Sequence, residues 1–315
     1  AEAETVDILG KIISDIEGLK KWKGNLYNWY RADDKTVSIE FVSSVDSGNL
    51  IAALIIARGF LKDIKGTEEL RSRIKKIIDN TDLEALYNFN KKLFFIGYNA
   101  KTKNYEGHYD LLASESRLLS LICASKNGGE NWRALLRDYA PYYGNTLYSW
   151  GGTAFEYLMP DLFILPPKHS LLYTSARNAV KIQRKHKTYG LFGLSESGYY
   201  AFDDALRYQY RAFGVEDIAL GRDKEKRVIS PYSSFLALHY SPKCVVKNLQ
   251  RLEKKGVLSD YGFYEAIDLE GKPRLLQSYM THHQGMSLAA MCNYLTGGKL
   301  RKYFMSDYSV EAACL

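Results

Sequence analysis

Apolar residues recur every three to four positions along most of the chain, the spacing that lays one face of a helix against a core. In "VDILGKIISDIEGLKKW" this rhythm puts Val6, Leu9, Ile12, Ile13, Ile16 and Leu19 on one side. "SGNLIAALIIARGFLKDI" is apolar almost throughout and predicts an inner helix covered on most sides. "ELRSRIKKIIDN", "DLEALYNFNKKL", "YDLLASESRLLSLICAS", "GTAFEYLMPDLF", "SLLYTSARNAVKIQRKH", "YSSFLALHYSPK", "PKCVVKNLQRLEKKG" and "YMTHHQGMSLAAMCNYL" continue the series, and Pro242 suits a first helical turn. Strand signals are confined to "TVSIEFVSS" and "KLFFIGYNA", each read as one short ribbon. No linker, low-complexity stretch or internal repeat interrupts the pattern. The prediction is an all-α protein, one domain over residues 1–315, built from paired antiparallel helices with short β ribbons in the loops. Inner and outer helices differ so much in polarity that a toroid of helix hairpins fits better than a bundle, with loops at one end forming a cleft.

Composition narrows this picture in one respect. With 46% hydrophobic and 25% charged residues the chain is an ordinary globular protein, but it carries 25 tyrosines beside 13 Phe and 4 Trp. Aromatics with a polar tip suit surfaces that meet polar, partly flat ligands such as sugars. The net charge is +7, yet its basic runs, "KKWKG", "RSRIKK" and "KIQRKHK", read as solvated helix faces, and no nucleic-acid motif accompanies them. Cys123, Cys244, Cys292 and Cys314 form no CxxC pair and read as free thiols of a reducing compartment or as buried small apolar residues. The chain starts without methionine and shows no signal peptide, which predicts a processed or excised segment. "NLIAALIIARGFL", broken by Arg58, is expected to be too short for membrane insertion. Nothing in the sequence sets an oligomeric state.

No metal or cofactor signature is present: His282 and His283 in "THHQG" are adjacent, so on a helix they diverge, and phosphate-cradling glycine loops are missing. The histidines read as hydrogen-bonding donors at a helix start, within reach of a ligand if that start faces the cleft. Carboxylates in apolar, aromatic settings remain as candidates for chemistry. Asp46 in "SSVDSGNL" is balanced between capping a helix that begins near Gly48 and touching ligand. Asp110 and Glu115 lie in "HYDLLASESR", the latter near Arg117 and His108. Glu156 in "TAFEYLMP" reads as a buried acid paired to a tyrosine or arginine. Glu196 in "LSESGYY" and Glu265 in "YGFYEAID" are flanked by glycine and tyrosine at segment junctions, where a helix cap and a catalytic acid are both open. A glutamate held among aromatics keeps its proton to higher pH and can donate it, and two acids in different environments are what glycoside cleavage needs.

"NLYNWY", "FVSSVDSGNL", "FFIGYN", "HYDLLASESRLLS", "SWGGTAFEYLMP", "GLSESGYY", "YQYRAFGV", "ISPYSSFLAL", "GFYEAID" and "YMTHHQGMSL" follow one another from about Asn25 to Leu295. In that order they resemble the glycoamylase-like domain of cyclic β-1,2-glucan synthases, which is related to stand-alone endo-β-1,2-glucanases. The resemblance implies an (α/α)6 toroid and a glycoside hydrolase or transglycosylase acting on β-1,2-glucan without a cofactor. It implies Glu196 as general acid/base, Glu115 as nucleophile of a retaining mechanism and Glu265 as a third catalytic candidate. Asp46, Asp110, Trp150, Tyr199, Tyr208, Arg211, His282, His283 and Gln284 fall in matching motifs and would line the cleft. It also implies a cytoplasmic, soluble part of a membrane-anchored synthase. Phe192 and Gly198 stand where the family more often has tryptophan and alanine. Retention would require the carboxyls of Glu196 and Glu115 to be about 5 Å apart, inversion roughly 6.5–9.5 Å. An inverting endo-glucanase and a non-catalytic glucan-binding module are the alternatives.

Overall fold

The computed structural model describes residues 2–127, 129–141, 144–221, 227–307 and 310–311. Among them are eleven α-helices: α1 (Glu2–Gly18), α2 (Ser44–Leu61), α3 (Glu68–Asn80), α4 (Arg117–Asn127), α5 (Glu130–Ala134), α6 (Ala154–Leu158), α7 (Leu171–Lys185), α8 (Pro231–Leu236), α9 (Pro242–Glu253), α10 (Thr281–Leu295) and α11 (Lys299–Met305). The chain divides into two compact units. The first comprises Ala1–Asp110, Ser116–Leu135 and Lys302–Leu315; the second comprises Leu111–Glu115 and Leu136–Arg301.

In the first unit α2 packs against α3 and α4. Its start is fixed by Ser43, in extended conformation, whose Oγ accepts the Asp46 N–H at 3.1 Å. The cap is therefore Ser43, and Asp46 lies inside the first turn rather than at its edge. Gly48 lets α4 come close, since a Cβ there would stand 2.8 Å from the Leu119 Cβ. Because the helix begins at Ser44 it reaches 18 residues with a mean hydropathy of 1.3, so the expectation that this run is too short to cross a bilayer is corrected. The length and composition suffice, but ten of its residues are buried inside the protein, including Ile51, Ala52, Leu54 and Ile55. Near its end Arg58 pairs with the buried Asp307, matching charge with charge.

In the second unit α8 packs against α10, α6 against α7, and α8 against α9. Ser170 caps α7 by accepting the Tyr173 N–H at 3.2 Å, and Pro242 opens α9 as predicted. Tyr157 on α6 is 1% exposed, and its hydroxyl donates to the Leu147 carbonyl at 2.6 Å, so a bulky aromatic is buried with its polar tip satisfied. A hairpin of Ser197–Phe202 and Tyr208–Arg211 carries a bulge between Tyr199 and Phe202. It covers a small core of Phe213, Val228, Ala266 and Leu276, to which Tyr199, Tyr200 and Tyr208 add their rings. Beside it, Ala266–Asp268 is the central strand between Val228–Ile229 and Arg274–Leu276.

Three elements depart from the periodicity. "DLEALYNFNKKL" is not a helix but a short 3-10 turn, Glu84–Leu86, leading to the strands Tyr87–Asn88 and Leu93–Phe94. Asn88 Oδ1 accepts the N–H groups of Asn90 and Lys91, and Lys92 takes a left-handed φ of 58°, which together turn the chain back. "YDLLASESR" is irregular, and helix begins only at Arg117. Strands among the described residues are far more numerous than expected, in eight small sheets, because most contain only two or three residues per strand and leave no alternation to read. Cys123, Cys244 and Cys292 are free thiols; Cys314 lies outside the described residues.

Candidate active site

Glu196 stands where an irregular segment enters the hairpin strand Ser197–Phe202, so the helix-cap reading falls away. The segment is pinned from several sides. Gln183 on α7 bonds Leu194 twice, accepting its N–H at 2.9 Å and donating to its carbonyl at 2.7 Å. Ser195 Oγ accepts the Phe155 N–H at 3.0 Å and lies 2.8 Å from the Tyr232 hydroxyl, which donates to the Glu196 carbonyl at 3.0 Å. Glu196 is half-buried, and Tyr210, the last residue but one of the partner strand, donates its hydroxyl to Oε2 at 3.3 Å. Burial, then the charges of Tyr210 and Glu196, hold the Tyr232 hydroxyl well above the usual tyrosine pKa, which keeps it a donor.

Glu115 ends the irregular stretch of the second unit, placed where the Leu112 N–H bonds the Leu136 carbonyl at 3.0 Å. Ser114 Oγ donates to its Oε2 at 3.2 Å. Part of the residue still meets solvent, but the carboxyl itself is enclosed by protein. That burial, followed by the charges of Glu156 and Glu196, pushes its pKa up to about 8. At neutral pH Glu115 is therefore a carboxylic acid with a proton to give.

Glu156, expected to pair with a tyrosine or arginine, is the buried neighbour in that group and takes hydrogen bonds from hydroxyl and backbone donors. It is the third residue of a capping box on α6: Thr153 caps the helix, and the Glu156 carboxylate accepts the Thr153 N–H and hydroxyl, both at 2.9 Å. The Gly151 N–H at 2.9 Å and the Ser149 hydroxyl at 3.0 Å also donate to it. Burial raises its pKa against these donors. The loop itself is held by close backbone approach, for a Cβ on Gly214 would lie 1.9 Å from the Gly151 carbonyl oxygen.

Glu265, between the strands Gly262–Phe263 and Ala266–Asp268, is 2% exposed. Its Oε1 accepts the Gly198 N–H at 3.1 Å, and both oxygens lie within 3.0 Å of His283 Nδ1. His283, on the first turn of α10, is as buried as its partner and stacks on Tyr232 at 3.7 Å with an 11° angle between rings. His282, its neighbour, is open to solvent on one side but closely hemmed by protein, and that burial, followed by the nearness of His283, lowers its pKa to about 4, so it is neutral at physiological pH.

The second unit thus brings together Glu115, Glu196, Glu265, Tyr199, Tyr208, Arg211, His282, His283, Gln284 and Trp150. Tyr199 donates to Gln209 Oε1 and meets Phe213 edge-on, while Tyr208 lies among Tyr200 and Phe202, so these two are built into the hairpin. Arg211 pairs across it with Ser197, and Gln284 donates to the Phe263 carbonyl at 2.9 Å. Trp150 leaves 47% of its surface exposed. Asp46 and Asp110 belong to the first unit. Asp46 is open to water but closely hemmed by protein, which raises its pKa, an effect opposed by hydrogen bonds from Ser43 and Asn28. Sequence reasoning missed Tyr210 and Tyr232. Tyr210 was within reach, because a strand that presents Tyr208 presents its i+2 neighbour on the same face. Tyr232, 36 residues from Glu196, left no local signal.

These features define a protein of the Glycoamylase family, whose model matches residues 107–307; the chain belongs to it. Its particular likeness is to the cyclic β-(1,2)-glucan synthase NdvB of Rhizobium meliloti (strain 1021), with 37% identity over 85% of this chain. The chain spans about a tenth of that relative's length. The fold matches an endo-β-1,2-glucanase from Chitinophaga pinensis, solved with sophorotriose and glucose, at a TM-score of 0.80 and 21% identity, covering 99% of this chain and 81% of that one. An endo-β-1,2-glucanase from Talaromyces funiculosus, in complex with sophorose, matches at a TM-score of 0.74 and 13% identity, covering 99% and 73%.

Proposed function

We propose that this chain cleaves β-1,2-glucosidic bonds of β-1,2-glucan, with Glu115 as the proton donor and Glu196 as the carboxylate that attacks the sugar or activates its acceptor. The observation that carries this reading is the group of three acids in one unit, in which burial and two like charges hold the Glu115 pKa at about 8. A carboxyl that keeps its proton through neutral pH suits protonation of a leaving oxygen. Glu196, half-open to water and held by the Tyr210 hydroxyl, suits the opposite role. This order reverses the one expected from the resemblance, which gave the proton to Glu196.

The substrate follows from the two kinds of relative: a synthase of cyclic β-1,2-glucan and glucanases of the same linkage. Trp150, His282, Gln284 and Arg211 supply planar and hydrogen-bonding surface of the kind a pyranose uses. The paired helices and the glucanase folds they match support an (α/α)6 toroid. Similarity to a tenth of a synthase supports a soluble cytoplasmic part of a larger, membrane-anchored polypeptide, in which transfer to another sugar hydroxyl competes with hydrolysis.

Linear β-1,2-glucan incubated with the protein, with product size and anomeric form followed over time, tests the proposal. Shortened linear products indicate hydrolysis, and rings or lengthened chains indicate transfer. Unchanged glucan, or undiminished turnover by Glu196→Gln, would overturn it.

A further inference from the structure

We infer that Glu265 is a positioning residue rather than a third catalytic acid: with His283 it locks the strand entry that carries Glu196. The inference deepens the reading above and rests on it for the role of Glu196. Glu265 and His283 side chains are 1% and 2% exposed, so a glucan oxygen cannot reach the carboxylate. What it does reach is the backbone. Its Oε1 accepts the N–H of Gly198, two residues beyond Glu196, at 3.1 Å. Its oxygens also accept from His283 Nδ1 at 3.0 and 2.9 Å. A carboxylate only accepts, so the Nδ1 of His283 carries a proton, and in the neutral ring that contact leaves Nε2 bare and fixes the tautomer.

The ring so fixed neighbours both tyrosines that hold Glu196. Tyr232 stacks on one face at 3.7 Å, and its hydroxyl bonds the Glu196 carbonyl. Tyr210 is near-parallel to His283 at 6.2 Å, and its hydroxyl bonds the Glu196 carboxylate. Glu265 thus acts on Glu196 three times: through Gly198 directly, and through His283 on each tyrosine. Gly198 has little room beside this pair, since a Cβ there would lie 3.2 Å from Leu276 Cδ2 and 3.5 Å from Glu265 Cγ.

The test is Glu265→Gln, nearly isosteric with the original. A glutamine that accepts from Gly198 presents its NH2 to His283 and drives the ring proton to Nε2. Expected are a melting temperature within a few degrees of the unmutated protein, a kcat on linear β-1,2-glucan lower by roughly 10²-fold with KM within about twofold, and partial recovery in Glu265→Asp. Two-bond 1H–15N spectra of histidine-labelled protein should show one ring, absent in His283→Asn, changing from the Nδ1–H to the Nε2–H pattern. Full kcat in Glu265→Gln, or an unchanged tautomer, overturns the inference while leaving the glucan reading intact. If the unmutated chain does not turn over β-1,2-glucan, the glucan reading fails, and the tautomer measurement still decides whether Glu265 sets the ring.

Discussion

Two groups of buried acids within one unit have opposite surroundings. Glu115 is enclosed near Glu156 and Glu196, so acid faces acid, and burial with like charge keeps its proton on to about pH 8. Glu265 faces a base, His283, at 2.9 Å and a backbone N–H, so its carboxylate is matched on both oxygens. The same residue type therefore does two jobs. An unmatched acid stores a proton that can be moved; a matched one stores geometry. Arg58 and Asp307 of the first unit repeat the matched case with no chemistry attached.

The contrast is broken most directly by Glu115→Gln, which keeps shape and removes the movable proton. Turnover of linear β-1,2-glucan should fall by about 10³-fold, measured by product size, with little change in KM. Next comes pH. If Glu115 gives the proton, kcat/KM of the unmutated protein should decline as pH rises through about 8. Stability should respond too: the folded Glu115 holds its proton to about 8, whereas the unfolded carboxyl loses it near 4.5. Between those values the native state binds more protons, so the melting temperature should fall as pH rises and level off above 8.

Glu156→Gln removes one of the two charges acting on Glu115. The alkaline limb of the rate profile should move to lower pH, with turnover at neutral pH down about 10-fold. Loss of acceptor capacity for Thr153 and Gly151 should cost about 1–3 kcal/mol in urea denaturation. The smallest effect expected is that of Trp150→Ala, an exposed aromatic outside both groups. KM should rise about 3- to 10-fold with kcat unchanged, the range of a single aromatic stacking contact.

The amphipathic helices were legible because their signal repeats within each turn: α3, α7 and α9 appear where periodicity puts them. The many two-residue strands were not, since a pair of residues has no period. Glu196 declared itself by what surrounds it, glycine and tyrosine without a neighbouring lysine or arginine. The state of Glu115 did not, because it arises from Glu156 and Glu196, 41 and 81 residues further along the chain. The matched pair was half visible: Glu265 and His283 were each singled out, but their 18-residue separation hid the bond between them.

The five residues Leu111–Glu115 belong to the second unit, although the chain on both sides of them belongs to the first. The consequence concerns heredity more than mechanism. The second unit cannot be copied, fused or exchanged as one uninterrupted stretch of gene, because a segment beginning at Leu136 would carry Glu156, Glu196 and Glu265 and omit Glu115. The family match over 107–307 spans the excursion and the intervening helices α4 and α5 as well. A gene segment that carries the whole acidic group therefore carries part of the neighbouring unit, α4 and α5, with it.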